Sequence, residues 1–303
     1  MGGGDDPPPY EPYDEGLTAK GAITEDENLA DQIRALRMSD VSKVLASPVL
    51  DFLLLTIFQS SNSSRLSSSQ TRAADHTDIR ERCIDTGSRS LKAQLSLYDL
   101  LSIHSSSGSI NVGIRTYPAD KEHPVPAKLV ISSHAGSVKV SLPASSAPVR
   151  DYSISIESHS GSISGDLVHG RTTSVHSRSG HVNLQFVLSG ASKDSSTLST
   201  TTESGRSDVT VLAPTPDTVT DAPSSIKQLS STHTTKDGSL SVQYPMEWEG
   251  TIEGHTESGN IRLHGRDIEL IQKRPHYVLA KKGTGNSTLT FRTASGSASV
   301  CFE

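Results

Sequence analysis

The chain has 303 residues, a formal charge of −6 and only 4% aromatic residues, while 51 serines and 26 threonines put a hydroxyl on a quarter of its positions. That composition suits a thin, repetitive core better than a deep globular one, although a hydrophobic share of 33% excludes a wholly disordered chain. Residues 1–31 carry nine acids against Lys20 alone, so the remainder is near +2 without a basic stripe, which argues against a nucleic-acid partner; two distant cysteines, Cys83 and Cys301, supply neither a disulfide framework nor a four-ligand zinc site.

Residues 1–23 are rich in Gly, Pro and acids and have no apolar period, so they read as a disordered tail. Within it, Pro7-Pro8-Pro9-Tyr10 is a Pro-Pro-x-Tyr ligand sequence. Its prolines preset the extended left-handed helix that aromatic WW-domain grooves accept, with Pro7, Pro8 and Tyr10 as the contacting residues. Residues 24–58 are predicted to be helical. Thr24 and Glu27 have capping-box spacing, and Leu29, Ile33 and Leu36 follow at one-face intervals.

Val41–Phe58 is the most apolar stretch, but Lys43, Pro48 and Asp51 interrupt it, and its insertion into a bilayer comes out near break-even. Two readings stay open: a buried or interfacial helix, or a signal-anchor crossing with the downstream chain outside. No charged segment followed by an apolar core opens the sequence, so a cleavable secretory signal is not expected. Residues 59–94 read as a Ser-rich linker and 95–303 as a β-repeat domain.

The repeat carries most of the information. Eight segments share one pattern, centred on Gly108, Gly136, Gly161, Gly180, Gly205, Gly238, Gly259 and Gly296. Three residues before each glycine stands a hydroxyl: Ser105, Ser133, Ser158, Ser177, Thr202, Thr235, Thr256 and Thr293. Apolar residues recur five before it in the first four copies (Ile103, Ile131, Ile156, Val175) and two and four after it, as in Ile110/Val112 and Val182/Leu184. In the fifth copy this latter pair is expected to slip to Val209/Val211.

The inward set is odd before the glycine and even after it. A flat strand cannot change parity, because its side chains alternate strictly, whereas a corner can. Each unit is therefore predicted to be strand, corner, strand, and the units to stack in register as an all-β solenoid with a ladder of hydroxyls beside a narrow core. An antiparallel sandwich or meander is the competing fold. Lys121–Ala127, Ala213–Gln228 and Arg266–Asn286 leave the repeat. The last contains DIELIQ and HYVLA, expected to form a hairpin or to cover an open end of the stack, with Leu95–Ile103 covering the other.

Outward positions hold His104, His176 and His255 in one row and His134 and His159 in the next, the latter two on successive copies and so placed to stack. No third ligand converges on them, so no metal is expected, and no cofactor. Asp166, Asp208 and Asp267 fall at unrelated registers, which denies a glycosidase or lyase its converging carboxylates. No nucleophile elbow, phosphate loop or zincin helix is present, so the chain reads as non-enzymatic. Asn62 and Asn286 head glycosylation sequons, meaningful where those segments reach the secretory lumen.

The segments SSSGSINV, SHAGSVKV, SHSGSISG and ESGNIRL, within about Ser102–Phe302, resemble the adhesin-type β-solenoid repeat family, a domain of unknown function. Fungal-type members look similar at the front as well, with a Pro-Pro-x-Tyr tail and a membrane segment before the repeats; here that segment is short and broken by Pro48 and Asp51. The resemblance implies a surface protein that binds carbohydrate or other cell-surface ligands, membrane-associated with its repeats outside. The alternative is a cytoplasmic interaction protein recruited by WW-domain ubiquitin ligases, and a remoter one is a polysaccharide-active β-helix enzyme.

Overall fold

A computed structural model describes residues 80–189, 195–214 and 228–303. Residues 1–79 lie outside the described residues, so the tail, the helical segment 24–58 and the apolar stretch Val41–Phe58 are not assessed by it. Among the described residues no helix is long and apolar enough to cross a membrane.

The described chain is all-β. Its first fourteen strands alternate between two sheets: β1 (Glu81–Asp85), β2 (Leu91–Leu97), β3 (Leu100–Ser105), β4 (Ile110–Thr116), β5 (Ala127–Ala135), β6 (Val138–Ser141), β7 (Tyr152–Ser160), β8 (Ile163–His169), β9 (Thr172–Ser179), β10 (Val182–Leu188), β11 (Ser196–Ser204), β12 (Ser207–Leu212), β13 (Leu229–Asp237) and β14 (Leu240–Tyr244). Then come β15 (Gly250–Ser258), β16 (Ile261–His264), β17 (Ile268–Arg274), β18 (Tyr277–Lys282), β19 (Ser287–Ser295) and β20 (Ala298–Phe302).

The larger, 11-stranded sheet runs β1-β3-β5-β7-β9-β11-β13-β19-β15-β18-β17, and the 9-stranded sheet runs β16-β20-β14-β12-β10-β8-β6-β4-β2. Each unit thus gives one strand to each sheet, and neighbouring units pair in parallel, for example Ile131↔Ile156 and Leu184↔Val209. This parallel pairing excludes the antiparallel sandwich or meander. Inward residues of both sheets, among them Ile103, Ile131, Val140, Leu184 and Phe291, form one buried cluster.

The corners follow from glycine stacking. A Cβ at Gly205 would collide with the carbonyl oxygen of Gly180, one at Gly180 with that of Gly161, and one at Gly161 with that of Gly136. The corner glycines therefore form a column in which each backbone rests on the next, a close approach that only hydrogen at Cα permits. Beside it the hydroxyl ladder is buried, and its members cap the corner: Ser105, Ser133, Ser158 and Thr293 Oγ donate to the carbonyls of Gly108, Gly136, Gly161 and Gly296 at 2.8–3.1 Å.

Three expectations are corrected. Among the described residues there are nine strand–corner–strand units, the eight cornered on glycine and one more from β1 and β2, which begins inside the segment 59–94 read as linker and runs on to Leu97. Its corner position is held by Arg89, whose carbonyl lies beneath Gly108. Among the described residues no further strand lies beneath β1 at this end of the larger sheet, so no backbone there demands a glycine at the corner. The fifth copy does not slip either: Ser207 aligns with Val182 and Leu240 and is buried, holding an apolar position with a hydroxyl. Leu95–Ile103 is no end cover; it belongs to β2 and β3, ordinary members of the stack.

The spatial order of the units also departs from their order in the chain. The C-terminal unit, β19–β20, is inserted between β13–β14 and β15–β16, so Gly296 rests on Gly238 and Gly259 on Gly296. The segment Arg266–Asn286 supplies the expected hairpin, with β18 antiparallel to both β15 and β17. It extends the larger sheet by two strands that have no counterpart in the smaller one.

Candidate binding face of the larger sheet

Alternation along each strand turns every second side chain of the larger sheet outward, and in-register pairing lines these side chains up in columns across the strands. One column reads Ser153, Thr172, Thr197, Ser230, Thr288, Thr251, and the next Ser155, Ser174, Ser199, Thr232, Thr290. Between Lys128, which continues the first column on β5, and Glu253, which continues the second on β15, the outcome is an uncharged lattice of hydroxyls, with about 4.8 Å between strands and about 6.6 Å between columns. Thr172 donates to Ser153 at 3.1 Å and Thr288 to Ser230 at 3.1 Å, so part of the lattice orients itself along the column.

Toward the corners the face becomes ionic. The rings of His134 and His159 stack with centroids 4.6 Å apart, as their register predicts. Arg178 lies 3.4 Å from the His159 ring nitrogen and 3.5 Å from Glu203, which also approaches His176 at 3.8 Å. These groups are partly exposed and close onto one another, and Glu157 and Arg292 stand in the same column as His176, so the lattice has an ionic border. His104 and His255 occupy the same outward row as His176 but lie several strands away, and they join no cluster. Among the described residues no group of three or more His, Cys, Asp or Glu could hold a metal ion.

The carboxylates weighed for catalysis are apart. Asp166 aligns with Gln185 on β10 and Asp208 with Asn183, while Asp267 sits in the turn before β17 at a positive φ of 57°. Asp208 is paired with Arg206 at 2.7 Å. Asn286 is exposed in the loop before β19, and Ser287 beside it is buried and accepts from the Leu229 N–H at 3.1 Å. Asn62, Pro7, Pro8 and Tyr10 lie outside the described residues.

Beneath the lattice, sequence reasoning missed a set of buried polar side chains. The inward columns run Ile154–Thr173–Leu198–Ser231–Leu289 and Ile156–Val175–Thr200–His233–Phe291. His233 is fully buried; its Nδ1 pairs with the Thr200 hydroxyl at 2.8 Å and its Nε2 with the Tyr244 hydroxyl at 2.9 Å. His169 pairs with Thr173 at 2.9 Å. Burial pushes the His169 pKa down to about 4 and that of His233 to about 3, so both rings are neutral at physiological pH. The signal was present in the repeat: Thr200 and His233 stand five before their glycines, where the first four copies have Ile or Val.

Comparison of the chain with protein-family models, with curated proteins and with solved structures finds no match.

Proposed function

We propose that this protein is a non-enzymatic adhesin-like binding protein whose units wind as a β-solenoid and whose larger sheet presents its outer face to a neutral, repeating, hydroxyl-rich ligand, a cell-surface or cell-wall glycan. The carrying observation is the uncharged Ser/Thr lattice from Ser153 to Thr290, whose translational repeat is set by the strands themselves. A rigid array of short hydroxyl side chains loses little rotamer entropy on binding and can both donate to and accept from sugar hydroxyls. The likeness of SHSGSISG and its sister segments to adhesin-type repeats supports the same reading. The test is co-sedimentation of the full chain with insoluble neutral polysaccharides and a glycan array. Thr197→Val with Thr232→Val should abolish capture while leaving the melting temperature within a few degrees; a clean array with folded protein would remove the carbohydrate reading.

For location we propose membrane association through Val41–Phe58 with the repeats outside. Protease access to a C-terminal tag on intact cells supports it, and a tag protected in cells yet open in sealed microsomes contradicts it. In that second case the Pro7-Pro8-Pro9-Tyr10 sequence favours a cytoplasmic protein recruited by WW-domain ligases, with Tyr10→Ala abolishing WW-domain capture.

A further inference from the structure

The two sheets do not end level. Among the described residues the larger continues past β15 into β18 and β17, while the smaller stops at β16, which pairs with β20 on one side only. Asn260 turns its carbonyl to Ala298 of β20. Main-chain direction alternates along a strand, so Ile261 and Leu263 turn their N–H and C=O groups away from β20, and no main-chain bond meets them there. Between this free edge and the β17–β18 hairpin lies a cleft of about 740 Å³, within the size range of ligand-binding sites.

The cleft has an apolar wall and a cationic rim. Ile261, Leu263, Ile268 and Leu270 form the wall, and Leu270 remains 53% exposed. Arg262, Lys273 and Arg274 also line it, no carboxylate does, and no ion pair among the described residues reaches any of the three. With the Gln272 amide oriented to accept, the Arg274 guanidinium donates to a neutral oxygen, so its charge stays uncompensated. Every other strand edge at this end is either paired or, like that of β17, carries charged side chains of both signs, Glu269 and Lys273.

We propose that this cleft is a docking site for an extended anionic segment of a partner protein, which adds to β16 as a further strand. Its main chain meets the free groups of Ile261 and Leu263, alternate apolar side chains fill the wall, and intervening Asp or Glu side chains meet Arg262, Lys273 and Arg274. Charge selects this occupant over a second copy of the chain. Antiparallel pairing of two β16 strands sets Arg262 against Arg262, and head-to-tail stacking on the opposite edge of the smaller sheet sets it near the exposed Lys92 of β2.

The probe is a fluorescent library of hexapeptides alternating Val, Ile or Leu with Asp or Glu, titrated against the full chain. Library members should bind. The same sequences with Lys in place of the acids should bind at least about tenfold more weakly, and so should the acidic peptides toward Lys273→Glu with Arg274→Glu. N-methylation of alternate peptide nitrogens in the pairing register should abolish binding while leaving charge and side chains intact, which separates strand addition from simple charge attraction. Thermal melts of the variants establish that they remain folded. Equal binding of acidic and basic peptides, binding indifferent to N-methylation in either register, or no binding by any library member overturns the proposal. So does a concentration-dependent dimer in sedimentation that Arg262→Glu disrupts. None of these outcomes bears on the outer hydroxyl face, which lies on the other sheet.

Discussion

Replacing Gly205 by alanine adds one methyl group at the middle of the glycine column. Gly205 has φ 131°, a region L residues rarely occupy, and its added Cβ would overlap the carbonyl oxygen of Gly180. The strained backbone costs about 1–3 kcal/mol. The overlap adds to that, since the neighbour is the main chain of the β9–β10 corner, held between β7–β8 and β11–β12, and cannot move alone. About 3 kcal/mol in total is expected, and for a domain of this size that lowers the melting temperature by roughly 6–12 °C. Ser204→Ala, an exposed change one residue earlier, should stay within about 0.5 kcal/mol. Scanning calorimetry or circular dichroism melts of the two variants compare them directly. A Gly205→Ala protein melting within 2 °C, roughly the control's own uncertainty, would refute the stacked-glycine explanation of the corner.

Three further predictions concern the interior. His169 and His233 are neutral when folded, with pKa values of about 4 and 3 against 6.5 when exposed, so the unfolded chain binds more protons below pH 6.5. Stability is then full above pH 6.5 and falls by about 1.4 kcal/mol per histidine per pH unit as the pH drops toward those folded values. Urea melts from pH 7.5 to 5 should show that slope, reduced in His233→Leu; a flat profile would contradict burial of the neutral rings. Tyr244→Phe removes the hydroxyl that satisfies His233 Nε2 and should cost about 1–3 kcal/mol in the same melts, whereas a neutral change would mean the pair is not formed. Arg150, buried between strands, donates to the carbonyls of Tyr98, Tyr117 and Val125 at 2.6–2.8 Å, so Arg150→Met should open the 117–126 loop to limited proteolysis. Unchanged cleavage there would show that other contacts hold the loop.

The repeat was legible because the corner makes the same demand in nearly every unit: a hydrogen at Cα where two backbones touch, and a small buried hydroxyl three residues earlier, which caps the corner carbonyl at Ser105, Ser133, Ser158 and Thr293. Where a demand lapses, the signal lapses. Arg89 takes a corner at the end of the stack, so a pattern keyed on glycine passed over the first unit. Ser207 takes an inward position with a buried hydroxyl, which read as a slipped register. The exchange of the last two units was not legible at all, since Gly259 and Gly296 carry the same local pattern and nothing in either segment encodes which neighbour it meets. Of the candidate face, the His134–His159 stack followed from parity, whereas the outward hydroxyl columns emerge from the strand register. The cleft beside β16 followed from neither, because it depends on the two sheets ending at different strands.

The most direct measurement of the central claim is threonine-methyl NMR of the full chain with a captured neutral oligosaccharide. The methyls of Thr172, Thr197, Thr232 and Thr288 on the outer face of the larger sheet should shift or broaden, while Thr210 on the smaller sheet stays unchanged. A response at Thr210 with silence across those four would place the ligand on the wrong sheet and contradict the account.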